Sequence, residues 1–405
     1  MRKKTIRDLD AGEDLRGRRL FVRVDFNVPL GRDGEVAEDA RIRAVLPTID
    51  LGRRAGASLV LASHLGRPKG GPSAKHSLRP VATRLAALVG EAVPLAVDCV
   101  GPAVLAQARA LPAGGLLLLE NLRFHPEEEA NDPAFAQALA ALGEVYVNDA
   151  FGAAHRAHAS IEGITRHLRP AVAGLLMQQE LEALGRVFDA PARPLVAILG
   201  GAKVSDKLTL VESLLGRVDR LLIGGGMAFT FLRAQGHEVG RSLLEAELVP
   251  VAARLLDAAK RAGVEIRLPV DSVVAESPEA PAGQTVPLGG IPPDRMGLDI
   301  GPATVTAFTE ALGDSRTIVW NGPMGVFERA PFAAGTLGMA RAVAAAPALS
   351  VVGGGDTVAA VHQAGVTGRI GYLSTGGGAF LEYLEGRTLP RVAALDDAIQ
   401  EAMKK

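Results

Sequence analysis

The chain has 405 residues, of which 48% are apolar, and its formal net charge is −1. This length exceeds what a single hydrophobic core usually supports, so we expect two domains. The near-zero charge excludes a general attraction to nucleic acid or to an anionic membrane surface. The single cysteine, Cys99, excludes a disulfide framework within the chain. Residues 1–8 are basic but no apolar segment follows them, and no apolar run reaches membrane-spanning length, so we expect a soluble, cytoplasmic protein.

The first predicted strand covers residues 20–28 and alternates in character. Apolar residues occupy one face, while Arg23, Asp25 and Asn27 occupy the other, and Pro29 ends the pattern. A polar face suits either an edge strand in contact with solvent or a strand that lines a cleft. Taken alone, this segment favours the edge strand.

Three further apolar segments, at residues 58–62, 116–119 and 145–147, run into loops rich in polar residues. Helical patterns, such as those at 78–89 and 133–142, separate them, and this alternation predicts a parallel sheet with helices on both faces. Ligands of such sheets bind at the carboxyl ends of the strands. The polar residues at those ends are Asn27, His64, Arg67, Arg123, His155 and Arg156.

Several arginines at one edge of a sheet predict an anion site, because the planar guanidinium binds phosphate or carboxylate oxygens two at a time. Each arginine alone is more simply a solvated loop residue, and only their common position favours a ligand. Aromatic residues are not interleaved with these basic ones, so a small anion fits better than a nucleic acid.

Between Pro170 and Pro191, apolar residues recur at helical spacing, which predicts one helix over residues 171–188. This helix joins a first half that holds the isolated arginines to a second half rich in glycine clusters. It is either an ordinary linker between domains or the connection between two parts of one site, and the pattern favours neither.

The second half repeats the alternation with different loops. Its predicted strands, at residues 195–199, 221–223, 318–320, 349–352 and 373–374, are each followed by a loop that contains glycines. Glycines before a helix let a ligand approach the backbone N–H groups at the positive helix end, which favours phosphate. A single glycine cluster is more often a tight turn, but five such loops at strand ends predict a nucleotide site.

Known signatures narrow the class of nucleotide site. The chain contains no Walker A sequence, no GxGxxG dinucleotide fingerprint and no protein-kinase signature set. Lys203 and Lys207 are four residues apart, so on a helix they would share one face, where two cations are costly unless an anion lies between them. Asp356 follows a glycine cluster and could hold Mg²⁺ on a nucleotide phosphate.

Eight segments in chain order resemble the phosphoglycerate kinase family. They are residues 22–29 (VRVDFNVP), 63–68 (SHLGRP), 120–125 (ENLRFH), 149–158 (DAFGAAHRAH), 200–207 (GGAKVSDK), 320–328 (WNGPMGVFE), 353–357 (GGGDT) and 374–378 (STGGG). They extend over nearly the whole chain, and several are long enough to be specific alone.

This resemblance implies an α/β protein with two Rossmann-like three-layer domains, each with a mostly parallel sheet, and a cleft between them. Residues 1–170 would bind 3-phosphoglycerate, with a tail at 390–405 packed back on them, while 171–190 would form a connecting helix and hinge and 191–389 would bind the nucleotide. The implied reaction is reversible phosphoryl transfer between MgATP and the carboxylate of 3-phosphoglycerate. It yields 1,3-bisphosphoglycerate and ADP, and in glycolysis it runs toward ATP.

Residue roles also follow from the resemblance. Catalysis would rest on Arg41, Lys203 and Lys207, and Asp356 would hold Mg²⁺. The substrate site would contain Asp25, Phe26, Asn27, Arg41, His64, Leu65, Gly66, Arg67, Arg123 and Arg156. The nucleotide site would contain Lys207, Asn321, Glu328, Gly354, Gly355, Asp356 and Thr357.

The chain departs from the family pattern at Ala153, Gln179, Ala303 and residues 330–332. Ala303 stands where some members have a lysine, which removes a possible nucleotide contact. None of these departures falls on a residue with an implied role.

Two other classes of protein fit part of the pattern. A non-catalytic two-domain binder of small anions would leave Lys203, Lys207 and Asp356 without a role. A dehydrogenase on a similar fold would need the dinucleotide fingerprint that the chain lacks.

Domain movement is a further expectation, because the arginine loops precede residue 170 and the glycine loops follow residue 194. Gly174 and Gly185, near the ends of the predicted helix, are the expected hinge positions. Nothing in the sequence predicts an obligate oligomer, so we expect a monomer that binds no nucleic acid or membrane. Its expected partners are 3-phosphoglycerate or 1,3-bisphosphoglycerate and ATP or ADP.

Overall fold

The computed structural model describes residues 3–10, 15–68, 71–189, 191–386 and 390–398. The chain divides into two compact units. The first comprises the described residues up to Leu181 together with those at 390–398, and the second comprises the described residues from Glu182 to 386. The division therefore falls within residues that the sequence predicted to be helical.

The first unit alternates strands with helices. Its strands are β1 (Arg19–Val24), β2 (Ser58–Ala62), β3 (Leu116–Leu118), β4 (Val145–Asp149) and β5 (Ala171–Ala173). Its helices are α1 (Ile6–Asp10), α2 (Ala40–Arg54), α3 (Arg79–Val89), α4 (Pro102–Arg109), α5 (Pro126–Glu129), α6 (Pro133–Ala140) and the first part of α7 (Leu175–Phe188). Short 3₁₀ turns lie at Ala74–His76, Leu122–Phe124, Phe151–Ala153 and Gly163–Arg166.

The strands of the first unit form a parallel sheet. Within the described residues its order is β3-β2-β1-β4-β5. Every residue of β2 to β5 is buried, as expected for parallel strands that are covered on both faces. The strand order reverses at β1, which pairs with β2 on one side and β4 on the other. At such a switch point the loops after the strands diverge and leave room for a ligand.

The second unit also alternates strands with helices and has more elements than the first. Its strands are β6 (Leu195–Leu199), β7 (Arg220–Ile223), β8 (Glu265–Arg267), β9 (Asp271–Ala275), β10 (Gln284–Pro287), β11 (Met296–Ile300), β12 (Thr317–Asn321), β13 (Leu349–Gly353) and β14 (Tyr372–Ser374). Its helices after α7 are α8 (Leu208–Leu214), α9 (Ala228–Ala234), α10 (Val249–Ala262), α11 (Pro302–Leu312), α12 (Ala334–Ala345), α13 (Gly355–Gln363) and α14 (Gly378–Leu384). Its 3₁₀ turns lie at Ala246–Leu248, Ala330–Phe332 and Thr367–Arg369, and a last helix, α15 (Pro390–Ala393), belongs to the tail.

Two sheets organise the described part of the second unit. The larger sheet is parallel and has the order β14-β13-β12-β6-β7-β8. Its strand order reverses between β12 and β6. The smaller pairs β9 with β10 and β11 in antiparallel fashion. The predicted α/β class with mostly parallel sheets is thus confirmed. The antiparallel sheet was not predicted, because its strands have only four or five residues and show no long apolar run.

Two predicted elements need correction. Residues 171–173 form β5 and are not part of the helix, which begins at Leu175. This short apolar segment pairs with β4, whose backbone groups would otherwise lack partners on that side. The first strand ends at Val24, four residues before the predicted end, so Asp25 and Asn27 lie in the loop beyond it.

The described part of the tail contacts the first unit. The Asp396 carboxylate accepts the backbone N–H of Ala171 (2.8 Å) and pairs with Arg169. Lys3 Nζ donates to Asp397 (2.7 Å). Residues 399–405 of the predicted tail lie outside the described residues. Among the helices that the structure describes, none has both the length and the apolar character that a membrane crossing requires.

Candidate functional site

Polar side chains from three loops of the first unit are linked by hydrogen bonds at the carboxyl edge of its sheet. Arg41, in the first turn of α2, donates from Nη1 to the Asp25 carboxylate (3.3 Å) and to the carbonyl oxygen of Asn27 (3.0 Å). The side-chain oxygen of Asn27 accepts the backbone N–H of Gly66 (2.8 Å). Arg123 donates from Nη1 to the carbonyl oxygen of Gly66 (2.8 Å). Five of the residues predicted from the sequence therefore form one connected set.

Three other predicted residues line the base of this edge. Phe26, His64 and Leu65 are at most 6% exposed, and the side chains of Phe26 and Leu65 belong to the hydrophobic core. The backbone N–H of Phe26 donates to the Ser63 hydroxyl (2.9 Å), which ties the loop after β1 to the loop after β2. These core side chains hold the loop backbones in position.

A buried guanidinium lies beneath the set and received no role in the sequence analysis. Arg23, on β1, is 1% exposed, and its Nε donates to the Ser160 hydroxyl (2.8 Å). Ser160 in turn donates to the fully buried carboxylate of Glu128 through its hydroxyl (2.6 Å) and its backbone N–H (2.9 Å). Arg23 Nη2 also lies 3.2 Å from His64 Nδ1. The signal in the sequence was an arginine between the apolar residues 20–22 and Val24 of β1, whereas nothing in the sequence marked Glu128.

Positive charge dominates this edge of the sheet. Burial, followed by the charges of Arg23, Arg123 and Arg156, holds the pKa of His64 well below its usual value. The same causes lower the pKa of His158 to about 3. Burial, followed by the charge of Arg156, lowers the pKa of Arg123 to about 10. Near neutral pH the imidazoles are therefore uncharged while the arginines keep their charge, which is the arrangement that attracts an anion.

The remaining two predicted arginines lie on the same loops. Arg67 is exposed and follows Gly66 directly. Arg156 lies beyond β4, and its Nε donates to His155 Nε2 (3.1 Å). Both thus lie at strand ends, where the sequence pattern predicted them.

In the second unit, the loops after β6, β12 and β13 converge at the switch point of the parallel sheet. The Lys207 ammonium donates to the side-chain oxygen of Asn321. The Asn321 amide donates to the carbonyl oxygen of Gly353 (2.8 Å), and the Gly322 N–H donates to the Thr357 hydroxyl (2.7 Å). Lys207, Asn321 and Thr357, all predicted for the nucleotide, are therefore connected through backbone groups of the glycine loops.

The N-terminus of α13 carries the glycine cluster and Asp356. Gly354 has φ of 97°, and a Cβ at this position would lie 2.7 Å from the Asn321 amide nitrogen, so only glycine fits. Gly355 and Asp356 are exposed in the first turn of the helix. Unpaired N–H groups at a helix N-terminus bind anions. The exposed Glu328 follows β12 on the next loop.

The two lysines lie in the loop between β6 and α8, so the shared helix face considered for them does not form. Helix α8 begins at Leu208, after both lysines. Backbone bonds from Gly200 to Asn321 (3.0 Å) and from Gly201 to Pro323 (3.0 Å) hold the preceding loop against the neighbouring strand end. Lys203 is exposed, whereas Lys207 is partly buried. Burial lowers the pKa of Lys207 to about 8, against the opposing effect of Asp206 and Asp356.

Comparisons with known proteins identify the family. The family model described as phosphoglycerate kinase matches residues 6–387. The phosphoglycerate kinase of Roseiflexus castenholzii is 56% identical over 401 residues, which cover 98% of this chain and 100% of that protein. That of Moorella thermoacetica is 56% identical over 398 residues, with the same coverage.

Solved structures show the same similarity in three dimensions. The phosphoglycerate kinase of Coxiella burnetii superposes with a TM-score of 0.87 at 40% identity and covers 97% of this chain and 98% of its own. That of Pyrococcus horikoshii has a TM-score of 0.81 at 35% identity, with the same coverage. Sequence and fold agree over nearly the full length, and this chain belongs to the phosphoglycerate kinase family.

Proposed function

We propose that this chain transfers a phosphoryl group reversibly between MgATP and the carboxylate of 3-phosphoglycerate. Family membership makes it a phosphotransferase whose acceptor is a carboxyl group. The observation that carries the proposal is the presence of two chemically different sites, an arginine site in the first unit and a lysine–glycine site in the second. A simple binder of small anions has no use for the second site.

For the acceptor, we assign the arginine site of the first unit. Asp25 and Asn27 contact the hydroxyl and carboxyl end of 3-phosphoglycerate, since their loop also holds Arg41. The non-reacting phosphate binds among His64, Arg67, Arg123 and Arg156, with Gly66 offering backbone. The neutral His64 contributes a hydrogen bond and leaves the charge balance to the arginines.

For the nucleotide, we assign the glycine loops of the second unit. Gly354, Gly355 and Thr357 hold phosphate oxygens at the N-terminus of α13, where the helix dipole favours negative charge. Asn321 lies against Lys207 near the phosphates, and Glu328 contacts the ribose.

The reaction needs no general base, because a carboxylate is already ionised near neutral pH. A carboxylate oxygen of 3-phosphoglycerate attacks the γ-phosphorus of ATP, and the bond to the ADP oxygen breaks. Catalysis then consists of alignment and of neutralising charge on the transferred group. Arg41, Lys203 and Lys207 supply that charge in the proposal.

Magnesium fits the acidic residue of this site. The Asp356 carboxylate is exposed in the first turn of α13 and near enough to Lys207 to act on its pKa. Carboxylate and phosphate oxygens are the ligands that Mg²⁺ prefers. When bound, the ion neutralises phosphate charge and fixes the nucleotide's orientation.

We also propose a cytoplasmic monomer. The single cysteine is buried, in keeping with a reducing compartment. Each unit has its own hydrophobic core.

A coupled assay for ADP tests the function directly. Wild-type protein with MgATP and 3-phosphoglycerate should release ADP continuously, and omission of either substrate should abolish the release. Calorimetric binding of 3-phosphoglycerate without ADP release would instead favour the binder.

Arg41→Ala should lower kcat by about 10²–10³, the usual loss for one transition-state donor. Binding of 3-phosphoglycerate should weaken less, because other arginines hold its phosphate. Arg43→Ala is the matched control, since Arg43 is exposed on the same helix and bonds Asp39 (2.9 Å). The control should keep kcat within a factor of about two. A few-fold effect of Arg41→Ala would contradict its role.

Lys207 should make the reaction sensitive to alkaline pH. Its ammonium is charged below its pKa of about 8 and neutral above it. We therefore expect kcat/KM for ATP to fall about tenfold per pH unit above that value. Lys207→Arg keeps the charge and should remove this limb of the profile, even at lower activity. Lys260→Arg, at an exposed site on α10, is the matched control and should keep the alkaline fall in kcat/KM. A limb that persists in Lys207→Arg would belong to another group.

Asp356→Asn should raise the Mg²⁺ concentration needed for half-maximal rate by about tenfold or more. Binding of 3-phosphoglycerate alone, measured by calorimetry, should stay unchanged because Asp356 belongs to the other unit. Asp314→Asn removes an exposed carboxylate of the same unit and should leave the Mg²⁺ requirement as it is. Loss of 3-phosphoglycerate binding in Asp356→Asn would refute the division of roles.

The hinge remains a proposal. The two substrates are assigned to different units, so transfer requires the ligands to be brought together, and exclusion of water would protect the acyl phosphate. Gly174 precedes α7 and Gly185 lies in its last turn, and these two residues are the proposed points of dihedral change. Small-angle scattering should give the smallest radius of gyration only with both substrates bound. An unliganded protein that is equally compact would rule out this motion.

A further inference from the structure

Asp98, Cys99 and His125 form a cluster that has no part in the proposed reaction. A carboxylate oxygen, the thiol sulfur and a ring nitrogen all lie within 4.8 Å of one another. The Cys99 side chain is buried, whereas the side chains of Asp98 and His125 are 46% and 28% exposed. The Cys99 sulfur is therefore shielded from solvent, whereas the Asp98 and His125 side chains are accessible to it.

Backbone pairing holds the two segments of the cluster together. Leu95 forms a parallel bridge with Leu118 of β3, and the Ala96 N–H donates to the carbonyl oxygen of Leu118 (2.8 Å). The chain then reaches Asp98 on one side and, after β3 and a 3₁₀ turn, His125 on the other. The segment before Asp98 is therefore paired with β3, the strand that leads to His125.

The donors are also oriented by hydrogen bonds. The Asp98 carboxylate accepts the backbone N–H of Cys99 (2.6 Å), and His125 Nε2 lies 2.7 Å from Asp98 Oδ1. The His125 ring packs against Phe135 with 5.2 Å between ring centroids. The Cys99 N–H and the Phe135 ring orient the Asp98 and His125 side chains, whereas the bond between Nε2 and Oδ1 brings two donor atoms together and would be replaced by bonds to the cation.

We propose that Asp98, Cys99 and His125 bind a divalent cation of the zinc class, with water as the fourth ligand. Sulfur, imidazole nitrogen and carboxylate oxygen are the ligands of tetrahedral zinc, at bond lengths of about 2.0–2.3 Å. Those lengths separate the donor atoms by about 3.3–3.6 Å. The His125 nitrogen and the Asp98 oxygen, now 2.7 Å apart, must therefore move slightly apart, and any donor pair near the 4.8 Å limit must move closer together. Mg²⁺ is the wrong ion here, because it prefers oxygen ligands and octahedral geometry.

Binding exchanges a thiol proton for the metal. A cysteine binds a metal through its thiolate, so the Cys99 thiol must lose its proton on binding. The cation forms a bond to the thiolate and one proton leaves to solvent. His125 coordinates through Nε2, and its remaining proton lies on Nδ1. Affinity should therefore rise with pH.

A bound cation would limit the movement of the loop that carries Arg123. His125 is two residues beyond Arg123, and its backbone N–H donates to the carbonyl oxygen of Leu122 (3.2 Å). A cation shared by Asp98, Cys99 and His125 would join this turn to the segment before α4.

Cobalt provides a sharp test, because the chain has a single cysteine and any thiolate-to-cobalt band must come from Cys99. Titration of the folded, nucleotide-free protein with Co²⁺ should produce a near-ultraviolet charge-transfer band that saturates at one equivalent, with visible bands of tetrahedral intensity. Added Zn²⁺ should abolish the band. Cys99→Ser should eliminate it.

Two ligand variants and one control distinguish binding by all three residues from binding by the Cys99 thiolate alone. Asp98→Asn and His125→Gln, with folding verified by circular dichroism, should weaken cobalt binding at least about tenfold. His362→Gln, an exposed histidine of the second unit, should leave it unchanged. Zn²⁺ should raise the thermal midpoint of the wild type but not of His125→Gln. Absence of the charge-transfer band in the wild type, or an equal band in the folded ligand variants, would overturn the proposal.

Discussion

Parallel pairing of buried strands constrains both candidate sites. Parallel strands all end at the same edge of a sheet, so the loops after β1, β2 and β3 meet, as do those after β6, β12 and β13. Residues far apart in sequence become neighbours, as Arg123 and Gly66 do. The strand backbones themselves are buried and paired, and the polar groups available for chemistry therefore lie on the loops.

The arginine site depends on the buried guanidinium of Arg23, whose charge is balanced by other buried groups. A guanidinium withdrawn from water costs several kcal/mol unless it is paired and hydrogen-bonded. Arg23 meets this requirement through Ser160 and the buried Glu128, and the neutral His64 adds no further positive charge. The surrounding arginines can therefore face a ligand without a second uncompensated cation directly beneath them.

The two candidate sites contain cations with different physical properties. The planar guanidinium of Arg41 is held in a fixed direction by Asp25 and Asn27. The ammonium of Lys207 is partly desolvated, and an incoming phosphate would favour its charged form. A fixed arginine suits the recognition of a planar carboxylate, whereas a lysine whose charge responds to its ligand suits a mobile phosphoryl group.

Sequence patterns alone determined the α/β class, the strands at 58–62 and 195–199, and the family motifs, because buried parallel strands are continuous apolar runs and glycine loops are local features. Tertiary structure decided the rest. The segment at 171–173 forms a strand because β4 offers backbone partners, and Lys207 meets Asn321 because the loop after β6 bonds to the end of β12. Arg23, Ser160 and Glu128 are brought together across long stretches of sequence, and no local periodicity records such a contact.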